Sequence, residues 1–147
     1  MQFICDAPVN KTWFRIETES EAARESDAMG HAVEKHFRRA VEAANQTYVS
    51  SSSVYIEQDI GRSAHLRRAM PLFLTLRDAE GTALATAMLP PGGLPDPAFG
   101  IVIVGPGNQD PYPAHGPAID ALGEHYGMTL DADRCFPYRS MRPRGGA

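Results

Sequence analysis

"PLFLTLRDAEGTALATAML", residues 71–89, reads as two strands joined by a tight turn. Leu72, Leu74 and Leu76 alternate onto one face, the period-two pattern of a strand with a buried side. Asp78, Ala79, Glu80 and Gly81 then reverse the chain, with Gly81 in the left-handed position of a hairpin loop. The return strand runs from about Thr82 to Leu89. An antiparallel pair at the middle of the chain is therefore the anchor for everything around it.

Upstream, "TWFRIET" (12–18) alternates as well, with Phe14 and Ile16 on one face and Trp13, Arg15 and Glu17 on the other. Thr18 and Glu21 have the spacing of a capping box, and Glu19, Glu21 and Glu25 crowd the positive end of the helix that follows. Ala22, Met29, Val33, Phe37, Ala40, Val41 and Ala44 recur at three- and four-residue steps. This predicts one long helix to about Asn45, with Gly30 a weak point inside it. A serine run leads into an expected strand at Val54–Gln58. "GRSAHLRRAM" (61–70) reads as a basic connection with one helical turn capped by Ser63.

Downstream, "PPGGLPDP" (90–97) is a loop by composition, and 99–104 is a short apolar strand. A helix is expected over about Ala114–Tyr126, with Ala118, Ile119, Leu122 and Tyr126 inward. Gly127 is its left-handed terminus and Met128 the apolar contact after it. Hairpins dominate and no βαβ alternation repeats, so the fold class is α+β. It is a mainly antiparallel sheet of about five strands, with a long helix in the N-terminal half and a C-terminal helix packed on one face. Residues 1–133 form one domain, and 134–147 form a basic tail expected to be partly disordered.

Size and composition fit that reading. A 147-residue chain with 43% apolar and 22% charged residues matches an ordinary globular domain. Such a chain buries roughly 70% of its unfolded surface without needing disulfides or a metal. A net charge of −4 argues against coating nucleic acid. The start lacks a basic segment followed by a long apolar run, and no stretch of about 18 apolar residues occurs, so neither a signal peptide nor a membrane span is expected. Cys5 and Cys135 form no CxxC pair and point to a reduced, cytoplasmic protein.

Three groups of residues invite a functional reading. "GPGNQDPYPAHG" (105–116) follows a strand and precedes a helix, as phosphate-binding loops do. Pro106, Pro111 and Pro113 lack N–H donors, however, and no Gly-Lys-Ser/Thr ending is present, so the turn is expected only to reverse the chain. Cys135 lies between Arg134 and Arg139, cations that favour a thiolate, and His115 or His125 is the base it would need. The alternative for Cys135 is a small apolar residue that docks the tail beside Phe136. On a helix His115 and His125 stand about 80° apart and some 15 Å along the axis, which precludes a shared metal. His31 and His36, five apart, also miss metal-ligand spacing, so neither metal nor cofactor is expected.

The arginines are the third group. Arg62, Arg67 and Arg68 precede the hairpin, while Arg139, Arg142 and Arg144 interleave with Phe136 and Tyr138 in a stretch without acids. Arginine forks suit carboxylates and phosphates. The tail is expected to dock Phe136 and Tyr138 and to offer Arg142 and Arg144 outward, whereas the alternative sets its arginines against helix acids such as Glu25. The function expected is a small binding or regulatory module that engages a protein partner or anionic ligand through this arginine-lined face. A small enzyme with a Cys135 nucleophile and a histidine base is the alternative.

Overall fold

A computed structural model describes residues 1–51 and 59–138. The elements are β1 (Gln2–Ala7), β2 (Lys11–Arg15), α1 (Glu19–Met29), α2 (Val33–Ser51), α3 (Asp59–Ala69), β3 (Leu72–Arg77), β4 (Ala83–Leu89), β5 (Val102–Val104), α4 (Tyr112–Tyr126) and α5 (Ala132–Cys135). The five strands form one antiparallel sheet in sequence order. The fold is α+β. The central hairpin pairs Leu72 with Leu89 and Thr75 with Thr86, and Gly81 has the positive φ its loop requires.

Because side chains alternate along a strand, the two faces of the sheet carry two separate cores. Leu72, Leu74 and Leu76 face Ala118, Ile119 and Leu122 of α4, together with Trp13, Ala85, Ala87, Leu89 and Ile103. Trp13 Nε1 donates to the Ala118 carbonyl at 2.8 Å, which fixes α4 on that face. Ile16 and Phe73 lie on the opposite face under Ala22, Val33, Phe37 and Ala44 of α1 and α2. Helices therefore cover both faces rather than the single face expected. The reason is legible in β3, where Phe73 lies between leucines and needs cover as much as they do.

Other differences are local. The sheet has the expected number of strands, but one of them is the N-terminal segment β1, which the strand pattern of the chain had not marked. The expected strand at Val54–Gln58 lies outside the described residues. The long helix is broken at Gly30, which adopts φ 65°, ψ 39° and donates its N–H to the Ser26 carbonyl. The Ser26 hydroxyl then accepts from the Glu34 N–H at 2.9 Å, so the last turn of α1 caps the first turn of α2. The single turn expected near Ser63 is the eleven-residue helix α3, with Ser63 exposed within it. Its Leu66 packs with Met70 on the Phe37–Phe73 cluster, tertiary contacts that lengthen a segment with weak local signals.

The capping box is present, with Glu21 N–H bonded to Thr18 Oγ1 and the Glu21 carboxylate accepting from the Thr18 N–H. Gly127 ends α4 in the left-handed conformation as expected. Among the described residues, no helix is long and apolar enough to cross a membrane.

Candidate functional site

On the face covered by α1 the hairpin carries two threonines directly opposite one another, Thr75 and Thr86. Threonine suits a strand, but these two are only 0% and 5% exposed, so their hydroxyls need partners. The partners come from a glutamate and an arginine. Glu25 falls between Ala22 and Met29 on the buried stripe of α1 and is 0% exposed. Arg77, at the end of β3, donates from Nη2 to Glu25 Oε1 at 2.7 Å and from Nε to Thr75 Oγ1 at 3.0 Å. Thr86 Oγ1 donates to the other carboxylate oxygen at 2.6 Å. A buried carboxylate is tolerated only when paired and hydrogen-bonded, and Glu25 is both.

The chain of bonds continues to a histidine. His31 Nε2 lies 3.0 Å from Thr86 Oγ1. The single proton of that hydroxyl is committed to Glu25, so Nε2 must be the donor and the neutral ring carries its proton there. Nδ1 is left with a lone pair. The break at Gly30 is what places His31 here, because a continuous helix would carry it away from the sheet.

His31 ends the chain in the wall of a cavity of about 290 Å³. Val33 of α2, Phe73 of β3, Met88 of β4 and Val102 and Val104 of β5 form the apolar lining. His36, Asn108 and Tyr138 supply polar groups around it. The imidazole is held below its ordinary pKa, first by burial and further by His36, while Glu25 and the nearby His31 carbonyl act in the opposite direction.

The glycine-rich turn supplies one wall of this cavity. Gly107 and Asn108 both have φ 62°. Gly105 N–H donates to the Gln109 carbonyl, Asn108 N–H to Gly105 and Gln109 N–H to Pro106. These donors are engaged within the turn itself, so it reverses the chain and presents Asn108 to the cavity.

The other candidate residues are dispersed. Cys135 is 1% exposed in α5, and its thiol pKa is raised, chiefly by burial and also by Asp131, against opposing effects of a Tyr112 hydrogen bond and Arg134. Neither His115 nor His125 is among the groups that act on it. His115 instead accepts a hydrogen bond at Nδ1 from Lys11 Nζ at 3.0 Å, and burial followed by that ammonium lowers its pKa. His125 is exposed and packs edge-on against Tyr126. Arg62 stacks over the Tyr48 ring at 5.4 Å, and Arg67 and Arg68 are exposed in the last turn of α3. Arg139, Arg142 and Arg144 lie outside the described residues. Glu25, the acid set against the tail arginines, is committed to Arg77 instead.

Arg67 has a neighbour that the sequence did not indicate. Arg15 Nη2 donates to the Arg67 carbonyl at 3.2 Å; burial chiefly lowers the Arg15 pKa and Arg67 adds to it, against the opposing effects of Tyr126 and Glu17. Both line a cleft floored by Ile16, Phe37, Leu66 and Met70. Among the described residues neither has a carboxylate at ion-pair distance.

Sequence reasoning weighed His31 only as a metal ligand, and Glu25 only as a helix-terminus charge and a possible acid for the tail arginines. The signal available for Glu25 was its place between Ala22 and Met29, a charge on an apolar stripe. No family model, curated protein or solved structure matches the chain.

Proposed function

We propose that this protein is a small-molecule binding module whose ligand occupies the cavity beside His31. The observation that supports this most is the bonded chain Arg77–Glu25–Thr86–His31, which holds a buried charge behind the wall of a largely apolar cavity. A sheet face built only for stability gains little from a buried ion pair, since apolar residues of the same volume do as well or better. An apolar lining with a few oriented polar groups is the usual composition of a ligand site, and about 290 Å³ lies at the small end of such sites.

Benzyl alcohol, a neutral probe of suitable size, tests the reading by NMR titration. Saturable shifts are expected at His31, Met88 and Val104, and they should vanish in Met88→Trp, which fills the cavity. Shifts that do not saturate, or that survive in a folded Met88→Trp, would overturn it.

A second reading keeps the arginine face and has its own support. Arg15 and Arg67 line a cleft with an apolar floor, and among the described residues neither has a carboxylate at ion-pair distance, although Glu17 and Glu19 line the same cleft; this suits an anionic group carried on an apolar partner. The Cys135 enzyme draws no support from a buried, protonated thiol.

A further inference from the structure

We propose that the cavity ligand is a small monocarboxylic acid with an apolar body, bound as the carboxylate against an imidazolium that His31 forms by taking up one proton. This inference rests on the cavity reading above and specifies the ligand class and its recognition.

His31 is held at one ring nitrogen. Nε2–H is held by Thr86, whose own proton is held by the Glu25 carboxylate. A hydrogen bond to the backbone of His31 itself also favours the protonated ring. The ring is thus wired to accept a second proton, and Glu25 favours the resulting charge. What opposes it is burial beside an apolar cavity. A carboxylate in the cavity removes that opposition, because it gives the imidazolium a counter-charge where water would be displaced.

The balance is one proton. A carboxylate anion, one proton from solution and neutral His31 give a carboxylate–imidazolium pair, with no bond broken in the ligand. The surroundings favour a single negative charge. Among the described residues, the charged and titratable groups around His31 are Glu25 on α1, His36 on α2 and Tyr138 after α5, with Arg77 behind Glu25; β4, β5 and the turn contribute only Thr86, Asn108 and apolar side chains. Arg77 is already neutralised by Glu25, so a dianion would bring one charge too many into an apolar lining of Val33, Phe73, Met88, Val102 and Val104.

The pH dependence follows in sign. Free His31 titrates below its ordinary value, and the bound carboxylate raises it. Between the two values, affinity falls tenfold for each unit of rising pH, and above the bound value it no longer changes.

Calorimetric titration of sodium benzoate into the full chain, in phosphate and in Tris at pH 6, 7 and 8, counts the protons. The expected result is an uptake approaching one proton, with a dissociation constant that rises up to tenfold per pH unit. His36→Gln should retain the uptake. His31→Gln, whose amide can still donate to Thr86, should lose benzoate-linked proton uptake and most benzoate affinity. Benzoate binding without uptake, uptake abolished by His36→Gln but not by His31→Gln, or no benzoate binding where benzyl alcohol binds would each overturn the proposal. Failure of both probes in the parent protein would instead remove the cavity reading itself. Should His31→Gln not fold, the proton count in the parent and in His36→Gln decides.

Discussion

Cutting the Arg77–Glu25 pair from either side should give unequal losses. Glu25 is 0% exposed, and its carboxylate has two partners, Arg77 at 2.7 Å and Thr86 at 2.6 Å. Arg77→Met therefore leaves a buried carboxylate with one hydroxyl, a change worth about 3–5 kcal/mol for a broken buried pair. For a chain of this length that corresponds to a drop of roughly 6–20 °C in melting temperature. Glu25→Leu is milder. The Arg77 side chain is 18% exposed, keeps its bonds to Thr75 Oγ1 and the Gly81 carbonyl, and can turn its freed N–H to water. Its loss should be about 1–3 kcal/mol, the scale of one charged hydrogen bond plus an unsatisfied Thr86. The double variant should lie within about 2 kcal/mol of the parent, because neither charge is then left unpaired. Urea unfolding followed by emission of Trp13, the single tryptophan and fully buried, measures all three. A larger loss for Glu25→Leu than for Arg77→Met, or additive losses in the double variant, would refute the reasoning.

Phe37→Ala removes a ring packed edge-on against Phe73 at 5.2 Å and should cost about 3–5 kcal/mol, whereas Arg38→Ala, on the solvent side with Glu19 and Glu34, should leave the urea midpoint within error. Equal losses would mean that α2 is phased differently. Burial raises the pKa of both thiols, with Asp6 adding at Cys5, so access separates them: buried Cys135 should resist iodoacetamide at pH 8 until the protein unfolds, and mass spectrometry should locate the earlier alkylation on half-buried Cys5. Early modification of Cys135 would restore the enzyme reading.

Two buried polar groups deserve comparison because they resolve the same problem differently. Trp13 sends its one N–H to a helix carbonyl and ends there, a closed bond that binds α4 to the sheet. Glu25 instead begins a chain that reaches a cavity, so its burial has a consequence at a surface that a ligand can reach. The first arrangement accounts for cohesion alone. The second places a titratable ring between a buried charge and a cavity.

The sequence by itself determined the elements whose signals are local. Alternation over Leu72, Leu74 and Leu76 with Gly81 after the acidic turn marked the hairpin, Thr18 and Glu21 marked the start of α1, and Gly127 marked the end of α4, because each rests on residues within a few positions of one another. The α+β class followed from the order of those elements. Tertiary structure decided what depends on distant partners. Gly30 read as a helix interior because the residues on both sides are helical; its role as a break depends on α2 folding back, with Ser26 capping across the elbow. Phe73, off the leucine face of β3, is buried because α1 and α2 cover that side of the sheet. The cavity chain joins positions 25, 31, 77 and 86, linked only through the pairing of β3 with β4 and the seat of α1 on that sheet. Periodicity carries no record of such pairings, since it reports which face a side chain takes and not which residue waits on the other side.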